Sequence, residues 1–418
     1  MKIFADLHLH SKYARATSKD LSLENLEKFA KIKGLNLLGT GDFSHPLWFK
    51  ELKANLKESG EGIYQYRDKS IFFLLQNEID LTYLQDGKTR KIHFIVLAPN
   101  FEILEQLNSF LEKKGNLKAD GRPIFTTMNS PEFVESVMQI SKDIMIIPSH
   151  AWTPWFGIFG SKSGFNSLKE CFQDQTKNIF AIETGMSSDP AMNWRLSFLD
   201  DVSILSFSDA HSFWPWRMGR EATVFELKDF DYKNLAEAIK NKDKSKILFT
   251  VEVDPSYGKY HWDGHRKCNV SLDPKESKKY KNICPVCKRS LTIGVLNRIE
   301  ELADREEGFV PKNAISFKTI LPLSELIAGV HNTQVFSKKV WEEYNKLIKD
   351  FGNEFHVLLE ASHEKLKLIG GEKLAESIIK NREGKIRVQP GYDGIYGIPI
   401  FDNREIKMKI PQRRLSEF

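Results

Sequence analysis

The sequence predicts an α/β protein: a barrel of about seven strands over residues 1–250, a small metal-stapled module over 251–296, and a mainly helical region over 297–418. Three observations carry this reading. Short apolar strands alternate with amphipathic helices up to residue 250, Cys268, Cys284 and Cys287 crowd into one short stretch, and helical periodicity returns after residue 297.

In the first region the strand candidates are residues 2–8, 36–39, 71–76, 91–98, 144–148, 179–183 and 202–207. Helix candidates fall at 23–33, 101–113, 131–141 and 235–240, the first preceded by Ser22 as an N-cap. Seven strands with intervening helices suit a barrel one unit short of the eightfold form, with an open doubly wound sheet as the rival. Residues 251–296 turn rich in Lys, Cys, Pro and Gly, which suits a module without a large core of its own. Beyond it, 337–351 and 372–382 are the clearest helices, and the chain ends in a Gly- and Tyr-rich loop and a basic tail.

At 418 residues the chain exceeds one ordinary core. Its 41% hydrophobic and 28% charged content is that of a soluble globular protein, and no apolar run is long enough to span a bilayer. The first residues run into a strand pattern without an export signal, and the clustered cysteines read as metal ligands rather than disulfides. Both features predict a cytoplasmic protein. The net charge of +5 lies entirely beyond residue 250, which fits a polyanionic partner but is equally the mark of a solvated Lys-rich face. No Gly-x-x-x-x-Gly-Lys-Ser/Thr loop is present, so ATP is not expected as a ligand.

The first strand, Phe4-Ala5-Asp6-Leu7-His8-Leu9-His10, directs Leu7 and Leu9 one way and Asp6, His8 and His10 the other. Strand rise sets the two imidazoles about 6.6 Å apart on one face. Asp209 and His211 repeat this spacing just past residues 202–207, His150 ends 144–148, Glu78 follows 72–76, and His93 opens an apolar run. Each signal alone is weak, but metal-capable residues at the margins of five strands form a convergent pattern. After the second strand stands Gly41-Asp42-Phe43-Ser44-His45.

This order of H-x-H, Asp motif, Glu, two isolated His and D-x-H resembles the polymerase and histidinol phosphatase (PHP) family over residues 1–250. The resemblance implies a distorted (β/α)7 PHP barrel that binds two or three divalent ions, Zn, Mg or Mn, and hydrolyses phosphoesters. It makes His8, His10, Glu78, His93, His150, Asp209 and His211 the ligands, with Glu78 bridging. The family carries adjacent Asp-His after the second strand; here the two are separated, and either Asp42 or His45 ligates.

A second constellation, His265-x-x-Cys268 with Cys284-Pro285-Val286-Cys287, has the spacing of a closed structural zinc site. His261 is the alternative fourth ligand, and Cys171, in a helical pattern, reads as a core thiol. Residues 365–382 suggest a helix-hairpin-helix variant or an ordinary helical turn. Aromatic residues at 152–159 and 391–397 suggest base stacking, with at least one of Trp152 and Trp155 facing substrate.

Barrel, zinc module and helical region together resemble the endonuclease Q family across nearly the whole chain, notably at 183–195 and 391–397. That resemblance implies a DNA repair endonuclease acting on double- or single-stranded DNA. It would cut 5′ to uracil, hypoxanthine, xanthine and abasic sites, leaving 3′-hydroxyl and 5′-phosphate ends, with the lesion flipped. Asn193, Arg195, Tyr392 and Asp393 are then expected to contact lesion or phosphate. Two rivals stand beside this reading: a PHP-type small-molecule phosphatase and a non-catalytic DNA-binding scaffold. A sliding-clamp partner is not evident, since residues 410–418 lack a convincing clamp motif.

Overall fold

Seven strands carry the barrel in the computed structural model, which describes residues 1–401 and 405–409. They are β1 (Lys2–Asp6), β2 (Leu37–Gly39), β3 (Phe72–Gln85), β4 (Lys88–Ala98), β5 (Met145–Pro148), β6 (Ala181–Glu183) and β7 (Ser203–Leu205). β1, β2 and β3 are parallel neighbours, with Ala5 opposite Leu37 and Leu37 opposite Phe72. β4 pairs antiparallel with both β3 and β5, and β6 pairs parallel with β7. Two seams complete the circuit without ladders. The Ala151 N–H donates to the Glu183 carbonyl at 3.0 Å, and the Ala210 N–H donates to the His8 carbonyl at 3.3 Å. The sheet is thus wrapped into a barrel rather than open.

The reversal of β4 has a local cause. Asp86 and Gly87 both take positive φ, 53° and 71°, which is the backbone of a two-residue hairpin turn, and the ladder begins at Gln85 opposite Lys88. The sequence reading ended this strand at residue 76. It continues to Gln85, because the polar Asn77, Glu78 and Asp80 lie within a buried strand instead of closing it.

Ile3, Ala5, Leu37, Leu74, Ile95, Leu97, Met145, Ile147, Ala181 and Leu205 form one buried cluster inside the barrel, with every strand contributing. Helices α1 (Leu23–Lys33), α2 (Phe101–Glu112) and α3 (Ser130–Ile140) pack in a second cluster, and Ser22 caps α1 by accepting the Asn25 N–H. Helices this short are marginal alone, so burial of residues such as Leu104, Leu107 and Leu111, about 1.5–3 kcal/mol each, is what holds α2. Helix α4 (Tyr232–Lys240) adds Leu235, Ala238 and Ile239 to the barrel's interior cluster.

Beyond the barrel, β8 (Ala222–Glu226) pairs antiparallel with β1, and β9 (Ile247–Glu252) pairs antiparallel with β8. A hairpin of β10 (Asp263–His265) and β11 (Val270–Leu272) follows, with a small core of Val270, Leu272, Cys284 and Leu291. After helix α5 (Val295–Leu302), strand β12 (Ser316–Thr319) returns to pair parallel with β9, an addition the helical pattern did not predict.

Helices α6 (Leu323–His331), α7 (Lys338–Phe351), α8 (Glu354–Leu359), α9 (His363–Gly370) and α10 (Glu372–Arg382) complete the described helical region. It is pinned to the barrel by a fully buried ion pair, Lys33 Nζ to Glu354 at 2.7 Å. Lys33 also donates to the Pro215 carbonyl, and the Tyr344 hydroxyl donates to Glu354. Removing one partner of such a pair costs about 3–5 kcal/mol. Among the described residues no helix is long and apolar enough to cross a membrane. Residues 410–418, read for a clamp motif, lie outside the described residues.

Candidate functional site

The barrel brings together residues that are far apart in the chain. His8 and His10 follow β1, Glu78 and His93 lie within β3 and β4, His150 follows β5, and Asp209 follows β7. Ligand-type atoms of His8, His10, Glu78 and Asp209 lie within 4.8 Å of one another, as do those of Glu78, His93 and His150. Glu78 belongs to both groups. Its Oε1 is 3.4 Å from His8 Nε2, 2.8 Å from His93 Nδ1 and 3.1 Å from His150 Nε2, and its Oε2 is 3.3 Å from His10 Nε2. Asp209 Oδ1 is 3.1 Å from His10 Nε2.

A surrounding layer of charge fixes these donors, and the sequence reading missed most of it. Glu183 accepts from His8 Nδ1 at 2.9 Å and from the His150 N–H at 2.6 Å. Asp80 stands opposite His93 in the ladder, 3.4 Å from its Nε2, and Arg122 Nη1 donates to Glu78 Oε2 at 2.9 Å. Glu183 had a legible signal, since it ends an expected strand as the other candidates do. Arg122, in an irregular segment, had none.

Asp42 belongs to this layer rather than to the ligand groups. Its Oδ1 accepts from His10 Nδ1 at 3.0 Å and its Oδ2 accepts the Ser11 N–H, which sets it behind His10. His45, the other expected candidate, stacks its ring on Tyr13 at 4.4 Å and joins neither group. His211 also lies outside both groups; it stands beside them with its ring 4.5 Å from that of His10. Asp6 does not share the face of His8 and His10. The chain leaves β1 at Asp6, whose carboxylate accepts from the Ser208 and Gly219 N–H groups, and burial pushes its pKa up to about 6.

Backbone strain concentrates here. Asp42, His150 and Asp209 all have positive φ, at 45°, 29° and 48°. At Gly185, φ is +55° and an added Cβ would meet His150 Cβ at 2.7 Å, so only glycine fits against that imidazole. Electrostatics follow the same map. Burial would depress the imidazoles, yet Glu183, Glu78 and Asp209 hold His8 well above its usual range, and Asp42 and Asp209 do the same for His10. Burial would raise Glu78, yet His93, Arg122 and His8 hold it well below the carboxylate range. These carboxylates are anionic and demand positive charge beside them.

Divalent ions fit that demand. His8 Nε2 is buried without a hydrogen-bond partner, and the donors are a mixture of imidazole nitrogens and carboxylate oxygens. A cavity of about 430 Å3 opens beside the cluster, lined by His93, Arg122, His150, Asp209 and His211 and by Trp155, Phe156, Arg220, Lys259 and Tyr396.

The cysteine constellation forms a second group. His265, Cys268, Cys284 and Cys287 place their ligand atoms within 4.8 Å of one another, with His265 Nδ1 3.5 Å from Cys287 Sγ. The buried His261 is not among them. Asp263 braces this module by accepting from the Gly294 N–H at 2.6 Å and from Asn297 at 2.7 Å.

The expected lesion contacts sit elsewhere. Trp152 is fully buried and donates to Asn193 Oδ1 at 2.8 Å, while Asn193, also buried, bonds Ser188 and Asp189. Arg195 points toward the Arg305 carbonyl and does not line the cavity. Tyr392 is buried with its hydroxyl on Asn269, and Asp393 accepts from the Arg266 N–H and from Thr292. None of these four lines the cavity, and of the two tryptophans Trp155, 38% exposed, does. At the hairpin between α9 and α10, Glu372 occupies the first turn of α10 and pairs with Lys367, which disfavours an anion there.

A family model described as the MJ0043 C-terminal domain matches residues 322–385. An uncharacterised Methanocaldococcus jannaschii protein, MJ0043, is 34% identical over 62% of the chain, which spans only 32% of that relative's length. Uncharacterised protein YqxK of Bacillus subtilis is 30% identical over 95% of the chain and 98% of its own length. The lesion-specific endonuclease PfuEndoQ of Pyrococcus furiosus superposes with a TM-score of 0.85 at 30% identity, over 100% of this chain and 98% of that one. An endonuclease Q bound to a 27-mer duplex with an abasic lesion at the active site superposes with a TM-score of 0.86 at 30% identity, over 98% and 99%.

Fold and site define a metal-dependent phosphodiester hydrolase. Within that class, the chain belongs to the endonuclease Q family.

Proposed function

We propose that the chain is a DNA repair endonuclease that hydrolyses the phosphodiester 5′ to deaminated bases (uracil, hypoxanthine, xanthine) and abasic sites, leaving 3′-hydroxyl and 5′-phosphate ends. The observation that carries this reading is the pair of donor groups sharing Glu78 beside an open cavity. The abasic duplex held by a related enzyme supports DNA as the polymer. We assign residues 1–250 to catalysis, 251–296 to a zinc module and 297–418 to DNA binding.

His8, His10, Glu78, His93, His150 and Asp209 are the residues that would hold two or three divalent ions, Zn, Mn or Mg, with a structural zinc at His265, Cys268, Cys284 and Cys287. Such ions supply an activated water and neutralise charge on the phosphoryl oxygens. The chain's own groups do the rest. Glu183 and Asp42 can only accept, so they fix the proton on Nδ1 of His8 and His10 and turn each Nε2 lone pair toward the cluster. Arg122 holds Glu78 and lines the cavity, where its charge stabilises an anionic substrate. Trp155 and Phe156 offer apolar walls to an extruded base.

End-labelled duplexes with one uracil, one hypoxanthine or neither, run on a denaturing gel with and without EDTA, test the reading. Cutting only 5′ to the lesion, lost with EDTA and restored by Mn or Mg, is expected, with no turnover of p-nitrophenyl phosphate. Turnover of that ester with the lesion duplex left intact would point instead to a small-molecule phosphatase.

A further inference from the structure

Part of the cavity wall is cationic and shares no ligand contact with the His–carboxylate cluster. Arg220 donates from Nε and Nη2 to the Ser208 carbonyl at 3.2 and 2.9 Å, which locks its guanidinium one residue from Asp209. Its Nη1 is buried and has no hydrogen-bond partner. A buried donor left unsatisfied is costly, and a guanidinium with an uncommitted nitrogen is suited to an oxyanion.

Two further cations approach Tyr396, of which Lys259 lines the cavity and Arg217 stands outside its lining. Lys259 lies on the segment leading into the cysteine module, and its Nζ is 4.7 Å from the Tyr396 ring centroid. The Arg217 guanidinium is 5.9 Å from that ring. Backbone bonds hold the two segments in register: the Gly394 N–H donates to the Lys259 carbonyl and the Gly397 N–H to the Tyr257 carbonyl, each at 3.0 Å. Burial would raise the Tyr396 phenol, but Arg220, Lys259 and Arg217 together bring it below its usual range.

Nearby acids do not cancel this charge. Glu325 faces both arginines, but burial pushes its carboxyl up and it is bonded by Tyr257. Glu221, next to Arg220, is pushed up by burial and by Glu252.

We propose that Arg217, Arg220, Lys259 and Tyr396 form a clamp for a second backbone phosphate, adjacent to the scissile one. The clamp rests on the nuclease reading of the site and deepens it: a phosphomonoester has no second phosphate to offer, whereas a polynucleotide does. An anion with several acceptor oxygens matches three cations and a phenol better than a neutral base edge does.

A uracil duplex carrying one uncharged methylphosphonate linkage, placed in turn at each position near the cut, tests this. kcat/KM is measured for wild type, Lys259→Ala and Arg217→Ala, and bound metal is counted in each. At one linkage the neutral group is expected to lower wild-type kcat/KM tenfold or more and that of either variant by a clearly smaller factor, because one of the cations that reads the charge is already gone. Metal content should match wild type. If every methylphosphonate lowers wild type and variants by equal factors, the clamp is overturned while the nuclease stands. If wild type fails to cut the unmodified uracil duplex, the endonuclease reading fails and the clamp falls with it.

Discussion

The barrel cluster draws its donors from five separated segments, whereas the cysteine cluster draws all four from residues 265–287. The first is built by the fold, with Glu183, Asp42, Asp80 and Arg122 bracing His8, His10, His93 and Glu78 in turn. The second is nearly the opposite, a hairpin and two knuckles around a core of four residues, with Cys287 exposed. A local site of this kind depends on its ion to fold, and a dispersed site depends on the fold to bind its ions.

Breaking the local site should have the largest effect. Under the proposed zinc assignment, Cys284→Ser should forfeit the binding free energy of that ion, on the order of 10 kcal/mol, and unfold the module while ions held by the barrel cluster stay bound. Metal counting with hydrogen exchange over residues 263–291 checks this, and protection that survives there would remove the distinction. Next, Glu78→Gln strikes the carboxylate shared by both donor groups and should lower cleavage by roughly 10²–10³-fold, with the cysteine-site zinc retained. Glu183→Gln leaves every donor in place and loosens only the orientation of His8 and His150, so a loss of about 10–100-fold in metal affinity or rate is expected.

The smallest effect is one of pH. His8 and His10 have raised folded pKa values, so their contribution to stability is full below the unfolded value of about 6.5 and is lost as pH rises through the folded values. With chelator present, the melting temperature should therefore fall as pH rises from about 6.5 to 9, and the gain on adding divalent ions should widen over the same interval. A flat profile in chelator would show that these imidazoles are not compensating the carboxylates.

Periodicity carried the fold far. α1 and α10 lie where the pattern put them, and each barrel strand overlaps its expected segment. What it missed came from long-range burial. Asn77 and Glu78 looked like the end of a strand because polar residues usually are, yet here they are buried in mid-strand. The Asp86-Gly87 turn was a legible hairpin signal that would have revealed the reversed strand. Asn193 and Trp152 stand away from the cavity for one reason: closeness in sequence to a strand end does not say which way a side chain turns, and these two turn toward each other. The separated Asp42 and His45 could not be distinguished by spacing, since only the contact with His10 assigns Asp42 its part.

The return of β12 to the edge of β9 makes the cysteine module an excursion from one continuous sheet. Deleting everything past residue 250 would cut into β9, strip its cover from the sheet rim, and remove the Glu354 partner of Lys33. Recombination that swaps the C-terminal half for another would meet the same obstacle. Each half of this chain therefore buries a surface that only the other half covers.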